Sequence, residues 1–178
     1  MNRLETQRLY LRGLEPGDAQ AMAGWRNDPD CARYQRWDAR TPEEIAAFIA
    51  RFAGGEFLSE AAEQHFVLCA RDGRAVGELA YFFAPGDCVT LGVTIAGGEQ
   101  KKGYAHEILS AVIKKIRGAY PALDIVALIE PENEASCHLF GKLGFAREGY
   151  AETIHSYVYT LPGQAESDAF AYQANTPS

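Results

Sequence analysis

Gly97-Gly98-Glu99-Gln100-Lys101-Lys102-Gly103-Tyr104-Ala105 separates two segments of opposite character. Before it, Leu91 to Ile95 is a short apolar run of strand type. After it, Gly103 to Arg117 reads as an amphipathic helix, with Tyr104, Ile108, Val112 and Ile116 on one face. Glu107, Ser110, Lys114 and Arg117 occupy the opposite face. A loop in this position presents unpaired backbone N–H groups at a helix start, where the macrodipole is positive. Lys101 and Lys102 add charge of the same sign, and an anion, above all a phosphate, would neutralise the site. A solvated glycine turn with two surface lysines accounts for the same residues.

The residues before this loop read as a meander. His65 to Ala70 is strand-like, Asp72-Gly73 a tight hairpin turn, Ala75 to Phe83 a strand, Pro85-Gly86-Asp87 a turn, and Cys88 to Ile95 a third strand. Farther upstream, Arg8 to Gly13 alternates Leu9 and Leu11 with polar neighbours. Glu15-Pro16-Gly17-Asp18 opens a helix that runs to about Trp25, and Asn27-Asp28-Pro29-Asp30 breaks it. Thr41-Pro42-Glu43-Glu44 starts another, whose apolar face is Ile45, Phe48, Ile49 and Phe52 and which Gly54-Gly55 ends.

Downstream, Leu123 to Ile129 is apolar on both alternating sets except at Asp124, which predicts a central strand covered on both sides. Asn133 caps a short helix that ends at Gly144. A last strand region, Glu148 to Leu161, completes a domain expected over residues 1–161. Residues 162–178 predict a flexible tail, or an arm anchored by Phe170 and Tyr172.

With 178 residues, the chain suits one domain with a substantial core. Its 47% hydrophobic and 23% charged residues are ordinary for a globular protein. A net charge of −7 argues against general nucleic-acid binding, which leaves a basic footprint. It would suit a cationic partner, and serves solubility equally well. No apolar run reaches the length of a membrane helix. The start, Met1-Asn2-Arg3-Leu4-Glu5, lacks an apolar signal region, so a cytoplasmic protein is expected. Cys31, Cys69, Cys88 and Cys137 are scattered, which predicts free thiols. The histidines at 65, 106, 138 and 155 show no metal-ligand spacing with them, and no metal is expected.

Four segments, taken in order, carry a family resemblance. Gln100-Lys101-Lys102-Gly103-Tyr104-Ala105 fits Q/R-x-x-G-x-G/A, and so resembles the pyrophosphate-binding signature of the GNAT N-acetyltransferases. Asn133-Glu134-Ala135-Ser136, Leu139-Phe140 and Lys142-Leu143-Gly144-Phe145 resemble the N-x-x-S…K-L-G-F pattern of the RimJ/RimL-like branch. Leu4 to Arg12 is similar to that branch's T-x-R-L-x-L-R opening, and Trp25-Arg26-Asn27-Asp28-Pro29 to its W-x-N-D/E-P segment.

The resemblance implies an α/β fold: a mixed, mostly antiparallel sheet of six to seven strands flanked by about four helices. It implies acetyl-CoA in a split between the fourth and fifth strands. Backbone groups of Val93, Thr94 and Ile95 would hold the pantetheine arm and polarise the thioester. The amides of Gln100, Lys101, Lys102, Gly103, Tyr104 and Ala105 would hold the pyrophosphate, with Asn133 and Phe140 beside the cofactor. The activity implied is direct acetyl transfer to a primary amine, on a protein N-terminus or a small molecule. A non-catalytic acyl-CoA-binding sensor or interaction module of the same fold is the alternative.

For proton handling, Ser136 matches the serine proposed as donor to the thiolate, though a serine in a first helical turn also bonds local backbone. His155 and Glu78 are the candidate bases; an ordinary pKa near 6.5 suits a histidine to that work. Glu148 to Leu161 is shorter than the branch's usual terminal hairpin, and a plain histidine at 155 fits equally. The segment joining the first two helices supplies Tyr34, Trp37 and Asp38 as candidate substrate contacts, through ring faces and charge. Each is also explained by packing or turn formation. A homodimer is left open.

Overall fold

The computed structural model describes residues 3–38, 40–59, 63–84 and 88–164. The turn expected at Pro85-Gly86-Asp87 lies outside them, as do Phe170 and Tyr172. In chain order the elements are β1 (Leu4–Glu5), β2 (Leu9–Gly13), α1 (Ala19–Arg26), α2 (Pro29–Ala32), α3 (Pro42–Phe52), β3 (Glu63–Ala70), β4 (Ala75–Ala84) and β5 (Cys88–Ile95). There follow α4 (Tyr104–Ala119), β6 (Asp124–Ile129), α5 (Glu134–Lys142), β7 (Ala146–Ala151) and β8 (Ser156–Leu161).

The strands form one sheet in the order β1-β2-β3-β4-β5-β6-β8-β7. All neighbours are antiparallel except β5 and β6. The architecture is the expected mixed sheet, with eight strands among the described residues where six to seven were expected. Leu4 and Glu5 add a two-residue edge by pairing with Leu11 and Tyr10. This extra edge strand makes the family's strand four β5 here, and the terminal segment folds into β7 and β8. Helices α1 and α2 replace one broken helix. Asn27 closes the first, then Asp28 accepts a bond from Asp30 N and Pro29 opens a new turn.

Parity divides the core. Phe66, Leu68, Leu79, Tyr81, Val89 and Leu91 point to one face, where Ile108, Leu109, Val112 and Ile116 of α4 pack on them. On the other face Val67 and Cys69 meet Met22, Trp25, Ile45 and Ile49 of α1 and α3. Burying these apolar faces is the dominant favourable term. Helix α3 starts on a reciprocal cap: Glu44 N donates to Thr41 Oγ1 at 3.2 Å, and Thr41 N to the Glu44 carboxylate at 2.9 Å.

The β5–β6 ladder is short. Cys88, Val89 and Thr90 pair with Asp124, Ile125 and Val126, and pairing stops there. Beyond Thr90 the strands part, and β6 takes β8 as its other neighbour. This parting corrects the expectation that β6 is covered on both sides. Ile125, Ala127 and Ile129 are buried, but Leu128 is 46% exposed because its face borders the split. After β8, Gly163 N donates to Asp124 Oδ1 at 2.7 Å and Gln164 N to Pro121 O at 2.8 Å, which holds the chain on the body through the last described residue.

Candidate active site

The split opens into a cavity of about 530 Å³. At one end it is lined by Thr90 to Thr94 of β5, Ala127 to Ile129 of β6, and Asn133, Ser136 and Phe140 at α5. At the other end lie Phe48 and Phe52 of α3, Glu63 and His65 of β3, Glu78, Ala80 and Phe82 of β4, and Arg26. Tyr34, Trp37 and Asp38 line its rim.

Main-chain geometry shapes the first end. From Leu91 on, β5 has no ladder partner on the side facing β6, so groups on that edge are available to a ligand. Past Ile95, a short 3-10 turn, Gly97–Glu99, leads into Gln100–Gly103. Lys101 (φ 62°) and Gly103 (φ 81°) both adopt left-handed backbone, a conformation that gathers successive N–H groups into an anion-binding hollow. Gly103 is the N-cap of α4 and supplies no side-chain bond there, so the helix's first N–H groups keep their capacity for a ligand.

Side chains hold this loop from behind. Gln100 Nε2 donates to Ile95 O at 3.0 Å. Arg8 Nη1 donates to Lys102 O at 2.9 Å, and the same guanidinium lies 4.9 Å from the centre of the Tyr104 ring. Glu107, in the first turn of α4, accepts from Thr6 Oγ1 at 2.6 Å, Arg8 N at 2.8 Å and Arg8 Nε at 2.6 Å. The T-x-R opening therefore ties the N-terminal edge to the loop. The lysines are not equivalent. Lys102 Nζ lies 2.8 Å from Glu99, which Arg74 also reaches at 2.6 Å. Part of the charge that would call for an anion is thus met within the chain; Lys101 has no ion pair among the described residues.

Asn133 caps α5 by accepting from Ser136 N at 3.2 Å, and Ser136 Oγ makes no hydrogen bond among the described residues. Glu78 is 4% exposed and Arg26 1%. Their Oε2 and Nη2 are 2.9 Å apart, while Glu78 Oε1 is buried without a hydrogen-bond partner among the described residues. The Arg26 guanidinium also sits over the Phe48 ring at 4.1 Å and the Trp37 ring at 5.3 Å. Tyr34 donates its hydroxyl to Glu132 O at 3.0 Å.

His155 is not brought to this cavity. It ends the 3-10 turn Glu152–Ile154 in a left-handed conformation (φ 46°), exposed. Its ring meets the Tyr150 hydroxyl at 2.5 Å and the Glu132 carboxylate at 3.3 Å. The neighbouring Ser156 takes the lining position instead.

Sequence reading missed His65, Glu63 and Arg26 as cavity residues, and gave Phe48 and Phe52 only as part of a helix's apolar face. Both rings are half-buried and face the cavity. The signal was present in the alternation of Glu63 and His65, of Glu78, Ala80 and Phe82, and of Thr90, Gly92 and Thr94, whose polar and small residues share one face of three paired strands. Among the described residues, no group of three His, Cys, Asp or Glu is placed to hold a metal ion, and no helix is long and apolar enough to cross a membrane.

The split sheet with a hollowed loop at the start of α4 defines a class of acyl-transfer enzymes. Residues 8–146 match the acetyltransferase (GNAT) domain family, and the chain belongs to it. It is an acetyltransferase with acetyl-CoA as cofactor. The chain is 26% identical to the uncharacterized N-acetyltransferase YnaD of Bacillus subtilis over 148 residues, covering 83% of this chain and 84% of YnaD. The fold is shared with the ribosomal-protein-S5-alanine acetyltransferase of Vibrio fischeri (TM-score 0.74, 20% identity, 93% of this chain and 98% of that one). It is also shared with the spermidine N-acetyltransferase of Vibrio cholerae, solved in complex with CoA and spermine (TM-score 0.68, 19% identity, 87% and 94% covered).

Proposed function

We infer that the chain moves an acetyl group directly from acetyl-CoA to a primary amine, on a protein N-terminus or a small molecule. One observation carries this reading: a single cavity joins the unpaired edge of β5 to a side pocket lined by aromatic rings and carboxylates. A donor at the split and an amine in the pocket then share one enclosure, which direct transfer requires.

The residues present fit the cofactor. Backbone groups of Val93, Thr94 and Ile95 run along the open edge and would hold the pantetheine arm. The hollow from Gln100 to Ala105 would take the pyrophosphate, and Asn133 and Phe140 would flank the arm. When bound, acetyl-CoA supplies an acetyl thioester. Ser136, at the mouth of α5 with its hydroxyl uncommitted, is placed to donate a proton to the departing sulfur. Tyr34, Trp37 and Asp38 at the rim contact the acceptor. Fold neighbours acting on a ribosomal protein and on spermidine support both acceptor kinds.

Release of free thiol from acetyl-CoA, measured against a panel of polyamines, small amines and N-terminal peptides, tests this function. Amine-dependent release is expected, with Ser136→Ala lowering kcat by roughly tenfold to a hundredfold. Binding of acetyl-CoA in calorimetry with no release for any amine would overturn the reading.

A further inference from the structure

The cavity floor carries a proton acceptor besides Glu78. Register places Glu63 opposite Phe82, and His65 opposite Ala80. It continues with Phe82 opposite Thr90, Ala80 opposite Gly92, and Glu78 opposite Thr94. Directly opposed residues share a face, so His65, Ala80 and Gly92 form one row leading to the split. Beyond His65 that row holds only a methyl group and a hydrogen. Two strand spacings, about 10 Å, separate the ends of the row. An acceptor amine with one bridging water fills such a distance.

We propose that His65, positioned by Glu63, is the general base that takes a proton from the acceptor amine. The proposal rests on the transfer function inferred above. His65 Nε2 lies 2.8 Å from Glu63 Oε1. An ionised carboxylate only accepts, so Nε2 carries the hydrogen and Nδ1 keeps its lone pair. Nδ1 has no hydrogen-bond partner among the described residues. The ring is held between Phe48 at 4.7 Å and Phe52 at 4.5 Å, with Phe82 at 6.3 Å.

The charged groups facing it are Glu63 on its own strand, Glu78 from β4, Arg26 from α1, and Arg51 of α3, which reaches Glu63 at 3.8 Å. Burial lowers the imidazole's pKa; Glu63 and Glu78 oppose that shift without reversing it. The ring is therefore neutral near pH 7, the form that accepts a proton. Glu78 is paired with Arg26 through Oε2, and only its Oε1 keeps a free lone pair among the described residues.

The protons balance as follows. An entering ammonium gives one proton to Nδ1, and the freed nitrogen lone pair forms the C–N bond to the acetyl carbon. The C–S bond breaks with its electron pair on sulfur. The nitrogen's excess proton reaches that sulfur through Ser136, and Nδ1 returns its proton to solvent.

The test uses His65→Gln and Glu63→Gln in the full chain, with the best amine from the panel. His65→Gln is expected to lower kcat by roughly a hundredfold or more and to leave acetyl-CoA affinity within about threefold. Glu63→Gln removes a carboxylate that favours the imidazolium, so the rising limb of kcat against pH moves to lower pH. NMR titration of His65 in the chain without acetyl-CoA should show the same downward move, a readout independent of turnover. A His65→Gln variant within about threefold of wild-type kcat would overturn the proposal. So would a pH limb that stays put in Glu63→Gln while the NMR titration moves. If circular dichroism shows His65→Gln unfolded, the Glu63→Gln limb decides. An absence of amine-dependent release by the wild-type chain refutes the transfer function itself; release with an unaffected His65→Gln refutes only the base.

Discussion

Around Leu91–Ile95 and Gln100–Ala105, the groups offered to a ligand belong to the backbone, and side chains serve to hold that backbone. Arg8 bonds Lys102 O, and Gln100 bonds Ile95 O. Around His65 and Glu78 the roles are exchanged. Antiparallel pairing holds the main chain, with one register shift at Leu68/Cys69, and alternate side chains line the cavity. The difference teaches where a lesion should appear. Damage at the first end should weaken binding with little loss of stability, whereas damage at the second should threaten the fold, because its charges are buried.

The largest effect expected is from Arg26→Met. It leaves the Glu78 carboxylate buried without its cation, at a cost of about 3–5 kcal/mol. Urea unfolding measures this. Replacing both partners, Arg26→Met with Glu78→Gln, should recover much of the loss, since the penalty belongs to the stranded charge. A single variant that costs under about 1 kcal/mol would mean that solvent reaches the pair.

Arg8→Ala is the matching lesion at the first end. Its ion pair with Glu107 is half-exposed on the arginine side, so stability should fall by no more than about 1 kcal/mol. Acetyl-CoA affinity should fall by about tenfold, the factor that goes with losing one braced charged hydrogen bond. Calorimetry and thermal unfolding, run together, separate the two quantities. If Tm falls sharply while affinity holds, Arg8 supports the edge strand rather than the loop.

The same contrast explains what could be read before the structure was known. The loop at the start of α4 was legible because its backbone demands particular residues locally: glycine where φ is +81° at Gly103, and a strand-loop-helix order around it. The capping residues Thr41 and Asn133 were legible for the same reason, since a cap acts within three residues. The end around His65 and Glu78 was not. His65 and Glu78 become neighbours only through sheet register, and Phe48 and Phe52 satisfy the helical apolar pattern whether they face core or cavity. Leu128 misled in the same way, because a run of apolar residues does not reveal that the next strand has turned aside. His155 was placed by its position along the chain, yet a left-handed residue in a 3-10 turn directs its ring to Tyr150 and Glu132.

The smallest effect expected bears on Lys101 and Lys102, which the sequence presents as a matched pair. Lys102 already shares Glu99 with Arg74, so removing its charge changes the potential at the loop less than removing that of Lys101. Lys101→Ala should therefore lower acetyl-CoA affinity by about threefold to fivefold at low salt, and the deficit should shrink as salt screens the phosphates. Lys102→Ala should lower it by less than about twofold under the same conditions. Calorimetric titrations at two ionic strengths distinguish these outcomes. The reverse order would show that Glu99 releases Lys102 when the anion arrives. In that case the first end, too, works through a side chain, and its difference from the second would be one of degree.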